Sequence, residues 1–451
     1  MLLIATVMGC ANPMTENSSQ YQVKLITLDP GHFHSALVQK SMYPGMDSTV
    51  HVYAPEGEEL KAHLNLIEQY NNDAENPTRW NEVVYTGNDF FEKMLEEKMG
   101  NVVMLAGNNR RKTDYIEKSI QADFNVLADK PMAIDKSSFE VLVKAFNQAE
   151  NKSLLLYDIM TERYEITTIL QREFSLIPEV FGVQEKGTPE DPAVTKESVH
   201  HFYKYVSGNV LTRPAWFFDV EQEGEGIVDV TTHLVDLIQW ACFPDQIIDY
   251  KKDIELISAN RWSTDLSLDQ FAAITKLQEF PSYLDKDVVN EQTLKVFANG
   301  EINYKLKGIH AKVSVKWAYQ PPEGAGDTHY SIMRGSKANL VIRQGKEQQY
   351  QPVLYIEPVN GKNDDFYDQL QTKVKELESR YPGLELKEEE EGWQLFIPEK
   401  YKEGHEAHFA RVTEKFLEYM KKGNMPEWEV PNMIAKYFTT TAALELAREN
   451  K

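Results

Sequence analysis

Over its first 157 residues the chain alternates short apolar runs with amphipathic segments. Val23–Leu28 (VKLITL) reads as a buried strand, and Thr49–Ala54 (TVHVYA) alternates like a second. Val83–Tyr85 offers a third short strand and Phe90–Lys98 a helix. A fourth apolar run, Val102–Ala106, stops at Gly107-Asn108-Asn109; a helix over Thr113–Ala122 follows, and a fifth run, Val126–Ala128, ends at Asp129-Lys130-Pro131. A helix over Lys136–Asn151 leads to a sixth strand, Leu154–Tyr157. Parallel strands need such crossovers, so the pattern predicts an α/β protein with an N-terminal doubly wound parallel sheet over 21–157.

Beyond Tyr157 the texture changes. A helix is expected from Glu162 to Glu173, a strand over Phe181–Glu185, and a long strand over Ser198–Val206. Alternation along that strand sets His200, Phe202 and Lys204 against His201, Tyr203 and Tyr205. Gly224 and Gly226 followed by Ile227, Val230, Leu234 and Leu237 predict a helix start with one buried face. Further strand-like runs lie at Leu294–Ala298, Lys312–Trp317, Tyr330–Met333 and Asn339–Arg343, within an α+β domain read over 158–404. A helix and a hairpin are read near 361–400, and 405–451 is expected to be helical, with apolar residues at Phe409, Val412, Phe416 and Met420.

Two stretches carry the candidate chemistry. In open α/β sheets ligands gather at the carboxyl ends of the strands, where this chain places Ala106, Asn108, Asn109 and Lys130. A lysine held between an acid and a proline at a strand mouth suits a developing alkoxide, although an isolated Asp-Lys-Pro is as readily a solvated turn. In the second stretch Asp229 and His233 are four apart with Asp236 three further on, so on a helix the imidazole would be flanked by carboxylates, as a general base requires. Taken alone, that spacing fits a cap or a surface ion pair equally well.

The two stretches together resemble the glucose-fructose oxidoreductase / inositol dehydrogenase (Gfo/Idh/MocA) family, which pairs Glu-Lys-Pro after its fifth strand with a Gly-Gly-x-x-x-Asp-x-x-x-His segment. Here Asp129 replaces the Glu, Lys130 and Pro131 keep register, and Gly226, Asp229 and His233 follow in compatible order. At the first strand the family's G-x-G-x-x-G reads Asp29-Pro30-Gly31-His32-Phe33-His34, so only the middle glycine is kept. The resemblance implies a nicotinamide-dependent oxidoreductase of a sugar, polyol or glycoside. Lys130, Asp229 and His233 would be catalytic, with Asp229 orienting the histidine. Gly31, His32, Phe33, Glu56, Ala106, Asn108, Asn109, Asp129, Lys130 and Pro131 would line the cofactor, and Arg163, His201, Lys204 and Trp216 the substrate. Glu56, beyond the second strand and with no arginine close by, prefers NAD to NADP. Relatives that oxidise glycosides at C3, or hydrolyse them by oxidation, elimination and reduction, supply a second reading. A non-catalytic carbohydrate-binding lipoprotein is a third.

Composition narrows the partners. A formal charge of -22 argues against nucleic acid, whose backbone asks for clustered Lys and Arg. Cys10 and Cys242 make no disulfide framework, and no Cys/His cluster shows metal-ligand spacing, so no metal is expected. MLLIATVMGC with the polar spacer to Gln20 resembles a bacterial lipoprotein signal ending in a lipidated Cys10, which implies a membrane-anchored envelope or periplasmic protein with tightly held, recycled cofactor. No other stretch approaches the ~20 apolar residues of a membrane span. The family resemblance also implies that the second domain is built on a large, mostly antiparallel sheet that serves as a homo-oligomer interface, that 361–400 is an inserted module, and that 405–451 packs back on the first domain.

Overall fold

The computed structural model describes residues 23–206 and 209–449, so the proposed signal and Cys10 lie outside the described residues. Its first layer is a six-stranded sheet of β1 (Leu25–Leu28), β2 (Thr49–Ala54), β3 (Asn81–Thr86), β4 (Val102–Leu105), β5 (Asn125–Asp129) and β6 (Leu156–Ile159). All neighbouring pairs are parallel, and the spatial order is β3-β2-β1-β4-β5-β6. β1, β4, β5 and β6 are buried along their whole length, which is why they read as unbroken apolar runs. The crossovers are α1 (His34–Leu37), α2 (Glu58–Asn71), α3 (Phe90–Glu97), α4 (Asn109–Gln121) and α5 (Lys136–Asn151). Asn108 caps α4 by accepting from the Arg110 amide, and Asp135 with Ser138 forms a capping box on α5.

After α6 (Ile166–Ser175) comes β7 (Val194–His201), a short ribbon of β8 (Tyr205–Val206) and β9 (Asn209–Val210), and α7 (Thr231–Cys242). The second sheet adds β10 (Ile254–Ser267), then, after α8 (Leu268–Thr275), β11 (Val288–Val289), β12 (Thr293–Leu306), β13 (Ile309–Ala318), β14 (Thr328–Arg334), β15 (Ala338–Arg343) and β16 (Val353–Pro358). α9 (Asp364–Leu377) and the hairpin of β17 (Glu385–Glu388) and β18 (Trp393–Phe396) follow, then α10 (His405–Lys422) and α11 (Glu429–Glu449). The order is β10-β12-β13-β7-β14-β15-β16-β18-β17, antiparallel except where β13 meets β7. The hairpin therefore extends the main sheet.

Several expectations shift. Phe181–Glu185 is no strand: it touches the sheet through one bridge, Gln184 to Gly335, because Pro178 and Gly182 turn the chain there. The helix expected from Glu162 is a 3-10 turn over Thr161–Tyr164 followed by α6, which Glu165 caps through the Thr168 amide. β7 ends at His201, so its alternation does not run on to Val206. α7 begins at Thr231, leaving Asp229 just ahead of it. Gly226 explains that late start: a Cβ there would lie 1.7 Å from the Ala298 carbonyl oxygen, so the approach to α7 runs backbone-to-backbone against β12.

The two layers are joined by the C-terminal helices. Phe409, Val412 and Phe416 of α10 enter the core of the first sheet, whereas Ala435, Ala443 and Leu444 of α11 belong to the core of the second. Buried Lys436 of α11 bridges Asp158 at 2.7 Å and Asp236 at 2.8 Å, linking β6 to α7.

Candidate active site

The strand order reverses between β1 and β4, and at this switch point the carboxyl ends of β1, β4 and β5 lie side by side, where a ligand would bind in an open α/β sheet. Asp29, in the place of the family's first glycine, holds a left-handed φ of 49° and accepts a 2.8 Å bond from the Tyr115 hydroxyl. Gly107 is required beside it, because a Cβ there would come within 2.4 Å of the Asp29 carbonyl oxygen. The loop closes on its own sheet: the Gly31 and His32 amides both donate to the Ala106 carbonyl, at 3.2 and 3.1 Å. Phe33 packs against the first core. Trp216, expected in the sugar pocket, stands on the glycine loop, where a Cβ at Gly31 would meet its ring at 3.2 Å.

Lys130 and Asp229, 99 residues apart, form a direct ion pair between the end of β5 and the approach to α7. Burial opposes the charge on Lys130, but Asp229 and Asp129 outweigh it, and its pKa is raised above the usual lysine value. Asp229 therefore holds the ammonium and does not orient His233, the role expected of it. Nor does Asp236 flank the imidazole, since Arg163 and Lys436 take its carboxylate. The buried Nδ1 of His233 has no hydrogen-bond partner. Burial, and then the nearby Lys130, drives the His233 pKa well below the usual histidine value. A neutral imidazole within the field of a fixed ammonium can take one proton from a bound hydroxyl while the ammonium steadies the oxygen left behind.

Other expected residues divide. His201 and Lys204 converge on Asp327, at 3.0 and 2.6 Å, with His200 at 3.3 Å. Burial works against the Asp327 charge, but bonds from His200 and His201 overcome it and hold the carboxyl far below its usual range. Arg163 is not a substrate residue: it is 9% exposed and forks onto Asp236 with two 2.7 Å bonds while also reaching Glu429 at 3.2 Å. Asn108 donates to Gln222 at 2.7 Å, and Asn109 to the Glu223 carbonyl and carboxylate at 2.7 and 3.1 Å. Pro131 is buried behind Lys130, and Glu56 stands exposed beyond the end of β2.

Sequence reasoning missed four groups at this cleft. Glu223 has its carboxyl raised well above the usual range by burial and then by Asp229, and Glu162 is pushed up to about 7 by burial and then by Glu165. Lys112 is lowered to about 8 by burial and donates to the Asp129 carbonyl at 3.0 Å. Asp327 lies in a glycine-rich loop with no periodicity to mark it. Of the four, only Glu223 could have been suspected, from its place directly before the Gly224–Gly226 turn. The fold also assembles a group that spacing alone does not show: ligand atoms of His32, His34 and Asp129 lie within 4.8 Å of one another.

Comparisons with known proteins agree with this architecture. Residues 170–448 match the family described as "Putative oxidoreductase C terminal domain". A crystal structure of "a putative oxidoreductase" from Parabacteroides merdae is 58% identical, with a TM-score of 0.94 over 96% of this chain and 99% of that one. Levoglucosan dehydrogenase, solved with NADH and levoglucosan, shares the fold at 11% identity and a TM-score of 0.60, over 95% of this chain and 98% of its own. So does a mutant of KijD10, a 3-ketoreductase from Actinomadura kijaniata solved with NADP, at 13% identity and a TM-score of 0.55, over 94% and 98%. No curated protein matches the sequence.

Proposed function

Since the chain belongs to the oxidoreductase family defined by that C-terminal domain, with the Gfo/Idh/MocA architecture, we propose that it is a nicotinamide-dependent dehydrogenase of a sugar or glycoside CH–OH group. The observation that carries the reading is the Lys130–Asp229 pair, formed between two layers of the fold beside the unpartnered His233 nitrogen. That structures of the same fold hold NADH with levoglucosan, or NADP in a 3-ketoreductase, supports the cofactor class, the substrate class and oxidation at C3.

The residues present fit the cofactor. His233 Nδ1 is an orphaned buried atom on a ring that feels the charge of Lys130, and Gly31 and Gly107 let backbone pack close against backbone at the switch point. Glu56 would hold the adenosine ribose and favour NAD over NADP. The loops Gly31–Phe33 and Ala106–Asn109, with Asp129–Pro131, would line the rest. When bound, the nicotinamide accepts the hydride of the carbinol carbon. His233 takes the hydroxyl proton, Lys130 stabilises the alkoxide as it develops, and Asp229 keeps Lys130 charged and in place. His201, Lys204 and Asp327 are poised to bind the sugar's remaining hydroxyls.

A second reading, a glycosidase working by oxidation, elimination and reduction, is favoured by Glu162 and Glu223. Burial raises both carboxyls, Glu162 to about 7, the range in which a general acid or base for elimination at C2 and C1 would work. Lipidation at Cys10 would place the protein in the envelope, and a cofactor held there would be recycled in place; an oligomer through the large sheet completes the proposal.

The test is Lys130→Ala with a panel of sugars and glycosides, following nicotinamide absorbance and aglycone release separately. A folded variant should lose roughly 10²- to 10⁴-fold in turnover, and near-normal turnover would remove Lys130 from the mechanism. Release of aglycone in step with turnover would select the glycosidase, and a wild-type protein that neither copurifies with nor binds nucleotide would leave only a carbohydrate-binding role.

A further inference from the structure

Two departures from the family's fingerprint meet in space. His34 stands where the glycine loop would carry its third glycine, and Asp129 stands where the strand-end motif would carry Glu. They are 95 residues apart, yet His34 Nδ1 lies 2.9 Å from Asp129 Oδ2. His32, on the same loop, brings its own Nδ1 to 4.0 Å from that oxygen. We propose that His32, His34 and Asp129 bind one divalent metal ion of the borderline class typified by Zn2+, a site that shares the glycine loop and strand end with the proposed cofactor site and is tested without the cofactor.

The donor chemistry suits that class. Two imidazoles and one carboxylate are a mixed nitrogen and oxygen set that favours Zn2+ and its transition-metal neighbours over Mg2+ or Ca2+, which prefer all-oxygen shells. Ligand atoms about 2.0–2.2 Å from a tetrahedral ion stand roughly 3.3–3.5 Å from each other. His34 and Asp129 are already inside that separation, and His32, 4.0 Å from Asp129 and with its ligand atom within 4.8 Å of the others, closes in by giving up the 3.3 Å contact from the His34 amide.

The surroundings are built to hold these side chains. The His34 ring packs against Phe409 at 4.6 Å, and the rings of His32 and His34 meet edge to face at 4.0 Å. Lys112 fixes the Asp129 backbone by donating to its carbonyl. His405, at the start of α10, sets its ring 5.4 Å from that of His34 and is placed to supply a fourth donor or to border an open position. Three protein ligands with an open position are the arrangement of a catalytic ion rather than of a closed structural one. Lys130 and Lys112 oppose a cation here, but Asp229 is already paired with Lys130. The opposing charges lower affinity and leave the donor set intact.

The test uses the full chain, stripped with a chelator and free of nucleotide and sugar. It is titrated with Zn2+ by calorimetry and with Co2+ by visible absorbance. One equivalent should bind per chain and give Co2+ bands of a four- or five-coordinate site. His34→Ala and Asp129→Asn should each weaken binding by at least about 100-fold, while His310→Ala, on the second sheet, should leave it unchanged. Should those two variants fail to fold, His32→Ala, in the loop, gives the same reading. Absence of a bound equivalent in the wild type, or undiminished binding in both His32→Ala and His34→Ala, would overturn the proposal. Because neither substrate nor nucleotide is present, its failure and that of the dehydrogenase reading are separable.

Discussion

Replacing Arg163 by Met separates a structural arginine from a sugar-binding one. The guanidinium makes two 2.7 Å bonds to Asp236 and two 3.2 Å bonds to Glu429, and all three side chains are buried. Methionine fills a similar volume but leaves both carboxylates short of a partner. Removing one member of a buried ion pair costs about 3–5 kcal/mol, because the remaining charge stays desolvated. Here Asp236 would keep Lys436 at 2.8 Å, and Glu429 would keep the Tyr419 hydroxyl at 3.2 Å. Burial already raises the Glu429 pKa, so that group can escape by taking up a proton. The expected loss therefore sits at the low end, about 3 kcal/mol. Its pH dependence follows from Asp236: burial opposes that charge, but Arg163 and Lys436 overcome it and hold the carboxyl far below the usual range. A depressed carboxyl contributes stability above its unfolded pKa of about 3.9 and loses it on acidification. The gap between wild type and variant should be full at pH 7 and close as pH falls through that region. Guanidinium melts at several pH values measure it, and adding Glu429→Gln should restore part of the loss. Unchanged stability together with a raised KM for sugar would refute the reasoning and return Arg163 to the substrate pocket.

Other predictions concern protons. If His233 is the base, its depressed pKa keeps it neutral, so kcat/KM for oxidation should stay level as pH falls through about 6.5; a break at that pH persisting in Glu162→Gln would exclude His233. The Glu162 carboxyl, raised to about 7 in the fold against about 4.3 unfolded, favours the folded state below the lower value and loses that contribution as pH climbs to the higher one. Glu162→Gln should therefore gain stability over wild type between pH 4 and 8, read from urea melts, and a pH-independent difference would count against a buried carboxyl.

The local pattern was legible wherever one rule decided it. β2 is bounded as its alternation predicts, β4 and β5 differ by a residue, and the position of Lys130 at a strand mouth followed from an apolar run meeting Asp-Lys-Pro. Reading failed where two rules competed. Asp229, His233 and Asp236 have the spacing of a helical face, but α7 starts after Asp229, and stronger cations from β5, α11 and the turn after β6 claim both carboxylates. Arg163 shows the same limit, since nothing local distinguishes a buried fork from one offered to a sugar.

Hydrophobic periodicity and turn residues were enough to determine from the chain itself a doubly wound parallel sheet, and two separated motifs were enough for the resemblance to the family, which implied the second, mostly antiparallel sheet. Those signals act over a few residues, where pleat, helical repeat and backbone freedom set the outcome. Which charges pair was decided only when distant segments met. Lys130 took Asp229, Arg163 took Asp236 and Glu429, His201 and Lys204 took Asp327, and His34 came against Asp129. A buried charge chooses its partner by separation and desolvation in three dimensions, and neither quantity is written in the order of residues along the chain.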